Sequence, residues 1–102
     1  MKFLVSTCPA EGASKTLPSA DAFEAQTAWF RAQLAAGVID CAHHAPDRAV
    51  FIFNADSQAA LESLMDQIPL ANQMRRTIEP LADFWEHTAG VTAYLRRHAI
   101  TA

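Results

Sequence analysis

The chain has 102 residues, enough for one domain with a single core and too short for two, so residues 1–102 are read as one unit. Hydrophobic residues make up 51% and charged residues 19%, which excludes a disordered chain. A net charge of −3, with Arg75-Arg76 and Arg96-Arg97 as the adjacent basic pairs, argues against nucleic acid as a partner.

Lys2 to Thr7 reads as a first strand, apolar on both faces through Phe3, Leu4 and Val5, and Cys8-Pro9 ends it. Ala10 to Ser19 is a surface loop of about ten residues, long enough to serve as a lid, although an ordinary loop has the same composition. Ser19 or Asp21 opens a helix with Phe23, Phe30 and Leu34 on one stripe and Trp29 off its centre. Gly37 is the expected residue just past its end. Val38 to Ala45 forms a second strand, which Pro46-Asp47-Arg48 turns back into a third.

That third strand, Ala49 to Phe53, is apolar on both faces, with Val50 and Ile52 opposed to Phe51 and Phe53, and so it needs cover on both. Asp56 or Ser57 caps the next helix, whose stripe is Leu61, Leu64, Met65 and Ile68, and Pro69 stops it. Met74 to Leu81 is a fourth strand, with Pro80 near its end. Asp83 and Glu86 have capping-box spacing ahead of a last helix from Phe84 to about His98, which Gly90 weakens by ~1 kcal/mol.

The order is β-α-β-β-α-β plus a C-terminal helix, an α+β, ferredoxin-like arrangement whose helices cover one sheet face. The other face of the central strand is still apolar, which points to a second copy of the chain, a homodimer, as its cover. Met1 to Val5 is too short an apolar run for a signal peptide, and no run is long enough to span a bilayer. Cys8 and Cys41 fit neither a disulfide framework nor a zinc spacing. Together these predict a reduced, cytoplasmic protein with no membrane partner.

The run Ser57-x-x-x-Leu61-x-x-x-Met65-x-x-Ile68-Pro69-Leu70, then Met74, then Ile78-x-Pro80-Leu81, resembles the muconolactone isomerase family, and Gly37 fits it too. The resemblance implies the ferredoxin-like fold and the pairing of two sheets into a dimeric α/β barrel, sometimes within a larger ring. These positions are structural, and they cover about a quarter of the chain. Asp40-Cys41-Ala42-His43-His44 stands where the family has an aromatic-rich run, so the resemblance carries the fold and not lactone isomerisation.

In such a barrel the more polar sheet face lines the cavity. Strict alternation puts Asp40, Ala42 and His44 on one face of the second strand, and Arg75, Thr77 and Glu79 on one face of the fourth. With Ser6, this gives a polar set suited to moving a proton on a small anionic substrate. Arg75 holds a carboxylate, with Ser6 and Thr77 as further binding groups. His44 transfers the proton, oriented by Asp40 or Glu79. Shifting a double bond in an unsaturated lactone or enol carboxylate needs no metal and no cofactor.

Each of these residues also has a plainer reading. His43-His44 can be surface residues beside a turn, and adjacent strand histidines point to opposite faces, which disfavours a shared metal. Arg75 and Glu79 can be an edge-strand ion pair. Cys41 is a small hydrophobe, and Trp29, Trp85 and Tyr94 are core or interface anchors. Three scattered glycines make no phosphate loop. The alternatives to an isomerase are a non-catalytic dimeric barrel, binding a small apolar ligand or serving assembly, and a cofactor-free monooxygenase of the same fold.

Overall fold

A computed structural model describes residues 1–11 and 17–99. Its elements are β1 (Lys2–Pro9), α1 (Ala20–Ala35), β2 (Ile39–Ala45), β3 (Arg48–Asn54), α2 (Gln58–Met65), a short 3₁₀ turn (Ala71–Gln73), β4 (Met74–Leu81) and α3 (Phe84–Arg97). The four strands form one antiparallel sheet in the order β2-β3-β1-β4, the ferredoxin-like topology expected from the element order.

Local chemistry accounts for the boundaries. The side chains of Ser19, Ser57 and Asp83 each accept a hydrogen bond from the backbone N–H three residues on, which starts α1, α2 and α3. At the end of α1, Gly37 takes φ 77°, Val38 N–H donates to Gln33 C=O at 3.0 Å and Gly37 N–H to Leu34 C=O at 3.2 Å. This is a Schellman closure, which needs a left-handed residue at that point. The second helix ends at Met65, sooner than Pro69 alone implies. Gln67 and Ile68 donate instead to Leu64 and Met65, so turns carry Ile68 into the core. The predicted loop reaches from Ala10 to Ser19, and its residues 12–16 lie outside the described residues.

The helix-side face of the sheet holds the core. Phe3 and Val5 of β1, Ile39 of β2, and Phe51 and Phe53 of β3 are buried against Leu61 and Met65 of α2 and against Ile68. Phe30 of α1 stacks on Phe51 at 4.6 Å between ring centroids, and Trp29 meets Phe30 edge-on at 5.2 Å. The predicted α1 stripe is therefore only partly used. Phe30 packs inward, while Phe23 and Leu34 at its two ends stay 56% and 48% exposed. Trp29, placed off the stripe by its spacing, packs against the core. Trp85 and Tyr94 do not join that core; both are exposed on α3.

Candidate functional site

Among the described residues, no helix packs on the opposite face of the sheet. Register places Lys2, Leu4, Ser6 and Cys8 of β1 on it, beside Asn54, Ile52 and Val50 of β3 and Leu81, Glu79, Thr77 and Arg75 of β4. Its middle is apolar, with Leu4, Val50 and Ile52 half-buried by their own neighbours. Its β4 rim is the exposed series Arg75, Thr77 and Glu79. Arg75, Thr77, Glu79 and Ser6 thus share a face, as the alternation predicts.

The second strand breaks the alternation. Ile39 pairs with Phe53 and Cys41 with Ile52, so Asp40 is an extra residue, a β-bulge. Every later side chain changes face. Cys41 and His43, opposite Ile52 and Val50, lie on the open face. Ala42 and His44, opposite Phe51 and Ala49, lie on the helix side. His44 therefore does not join Ser6 and Arg75, and the histidine that does is His43. An inserted residue moves the whole downstream set to the other face.

The bulged residue has partners of its own. The Asp40 carboxylate accepts from the Lys2 ammonium and from Asn54 Nδ2 at 2.7 Å. Lys2 Nζ also donates to Asn54 Oδ1 at 2.8 Å, and Asn54 Nδ2 donates to Gly37 C=O at 3.2 Å. The cluster joins the bulge to β1, β3 and the end of α1. The Lys2 hydrogen bond, and then the Asn54 one, hold the Asp40 carboxyl below the ordinary carboxylate range. Asp40 is thus engaged with Lys2 and Asn54 and does not orient His44.

Distances across the sheet bound what one protomer can do. His43, Val50, Ser6 and Thr77 form a single row running from β2 to β4. At ~4.8 Å per strand, His43 and Thr77 are roughly 14 Å apart. Glu79 lies one row along from Thr77 on the far edge, so it cannot orient a histidine of β2 within the same chain. The open face carries two polar rims, Asp40 and His43 on one side and Arg75, Thr77 and Glu79 on the other, with an apolar floor between.

On the helix side, Asp66, Ile68, Pro69, Asn72, Met74 and Arg76 surround an open depression. Its arginine is paired with Asp66 at 2.9 Å. Among the described residues, no three His, Cys, Asp or Glu side chains are grouped to hold a metal ion.

No family model and no curated protein matches the chain. A solved structure of similar fold is a 5-chloro-2-hydroxyhydroquinone dehydrochlorinase from Burkholderia phenoliruptrix in complex with 2,5-dihydroxybenzoquinone. It has a TM-score of 0.63 and 17% identity, over 84% of this chain and 98% of that one. The likeness is one of fold, which many activities share.

Proposed function

We propose that this chain is a small-molecule enzyme that works at the open face of its sheet, moving a proton on an unsaturated lactone or enol carboxylate without a cofactor. The observation that carries the reading is the uncovered face itself: an apolar floor of Leu4, Val50 and Ile52 between two rims of ionisable and hydrogen-bonding side chains. Such a floor accepts a planar carbon skeleton, and Arg75 offers a fork of donors for a carboxylate or enolate oxygen. His43 is the proton carrier, since one imidazole nitrogen can accept a proton while the other donates one. Ser6 and Thr77 supply hydroxyls on its row. The dehydrochlorinase of similar fold, whose substrate is a hydroxylated ring, agrees with a substrate of this class.

The two rims are too far apart to grip one small molecule within a protomer. A second copy, stacked face to face about a two-fold axis parallel to the strands, sets β2 of one protomer over β4 of the other. Sheets stacked in this way lie ~10 Å apart, within reach of His43 from one side and Arg75, Thr77 and Glu79 from the other. Two equivalent sites result, in a dimeric α/β barrel.

The test is a screen of unsaturated lactones, enol carboxylates and halogenated hydroquinones, followed by His43→Ala and His44→Ala. Loss of a general acid–base costs about 10²–10⁴-fold in rate, and this loss belongs to His43→Ala alone. Equal rates in wild type and His43→Ala reject the reading. The apolar floor also favours a second reading, a non-catalytic barrel that holds a small apolar ligand. Ligand binding without turnover, unaffected by Arg75→Met, would support it instead.

A further inference from the structure

The C-terminal helix is the least explained part of the fold. All 14 residues of α3 escape burial. Phe84, Trp85, Val91, Tyr94 and Leu95 are 64%, 75%, 44%, 55% and 60% exposed. The Cα radius of gyration is 18.3 Å and the longest dimension 66 Å, against about 13 Å for the radius of a compact domain of this size. The helix therefore stands away from the body of its own chain.

The exposed residues are not scattered. Phe84, Thr88, Val91 and Leu95 follow one another at steps of four, three and four, a single stripe flanked by Trp85 and Tyr94, while Glu86, Arg96 and Arg97 lie away from it. A stripe of this kind exposed to water marks a partner surface.

We infer that α3 is an exchange arm that packs antiparallel along α1 of a second copy of this chain. The complementary surface is present on α1, which also buries none of its residues and leaves Phe23 and Leu34 exposed eleven positions apart. In an antiparallel register with Phe23 beside Leu95, Leu34 falls beside Phe84, because both intervals are eleven residues. The charges agree with that register. The acidic first turn of α1, with Asp21, comes to the same end as the basic last turn of α3, with Arg96 and Arg97, so helix ends of opposite charge meet along the rim of the contact.

Among the described residues, no substantial contact joins α1 and α3 of one chain. α3 follows the β4 edge of the sheet after the two residues Ala82 and Asp83, whereas α1 packs beside β2 at the opposite edge. A two-fold dimer makes the contact twice, once with each arm. The area is also of the right size. The three aromatics, Val91 and Leu95 together expose roughly 500 Å², against about 800 Å² per partner in a standard interface. The apolar floor of the open sheet face makes up the difference, so arm and sheet together suffice for a stable dimer. The arm does not depend on any catalytic role.

Sedimentation velocity across a concentration series of the full chain tests this, with far-UV circular dichroism to monitor folding. Wild type is expected to sediment as a dimer. Leu95→Asp is expected to keep its helix content, since the side chain is exposed in the protomer, and to weaken dimerisation by at least about tenfold. Arg96→Glu with Arg97→Glu should weaken it too, and adding Asp21→Lys should restore it. A wild-type chain that stays monomeric, alone or while floating with lipid vesicles, would overturn the inference. So would a Leu95→Asp chain that dimerises as tightly as wild type, or a charge swap that restores nothing.

Discussion

Gly37 links the fold to the rim of the open face, and its replacement has a calculable effect. Its carbonyl accepts from Asn54 Nδ2, which in turn holds the Asp40 carboxylate at the bulge. Its φ of 77° lies in the left-handed region, yet an added Cβ would meet no atom within 4 Å. Gly37→Ala therefore introduces backbone strain without a clash. The left-handed conformation costs an L-residue about 1–2 kcal/mol, and the stiffer unfolded chain returns about 0.4–1 kcal/mol. The net loss is about 1 kcal/mol, which lowers the melting temperature by about 4–8 °C in a domain of this size. Asn enters the left-handed region more readily, so Gly37→Asn is expected to lose less. Urea unfolding gives both values, with midpoints falling and slopes unchanged. If alanine matched wild type, or alanine and asparagine were equally harmful, the Schellman account of this junction would be wrong.

Other consequences can be checked separately. Leu61 is fully buried in the core, and Leu61→Ala should cost about 2–5 kcal/mol, read from the same urea transition. The Asp40 carboxyl titrates below the ordinary carboxylate range because of Lys2 and Asn54. Its contribution to stability is therefore complete above the ordinary carboxylate value and is lost as pH falls through the lowered one. Lys2→Met should move the Asp40 titration up towards the ordinary value, as read by carboxyl NMR; no movement would show that Lys2 is not the main cause. Arg75→Lys keeps the charge but not the bidentate fork, so turnover on a carboxylate substrate should fall mainly through a higher KM.

The fold was legible because its signals are local and redundant. Caps at Ser19, Ser57 and Asp83, the glycine at position 37, and the uninterrupted Val50–Phe53 run each report one boundary or face. With the turn at Pro46-Asp47 they leave room for few topologies. The site was only half legible. On β4 and β1 the alternation is regular, and Ser6, Arg75, Thr77 and Glu79 share a face as read. On β2 the outcome depends on one inserted residue. Asp40 is drawn towards Lys2 and Asn54, contacts that are 38 and 14 positions away in sequence, and no local pattern announces them. The step it introduces exchanges His44 for His43. The partial use of the α1 stripe is equally non-local, since the short sheet offers Phe30 a partner in Phe51 but leaves Phe23 and Leu34 beyond the core.

Cys8 and Cys41 both lie on the open face and are half-buried within the protomer. They therefore report directly on the central claim, that a second copy covers this face. The measurement is the rate of thiol alkylation by a bulky maleimide, followed by intact mass across a protein concentration series. Covered faces predict that both thiols become slower to react as concentration rises, along one association curve. Rates independent of concentration up to hundreds of micromolar would mean that the face stays open, and the shared site between protomers would be contradicted.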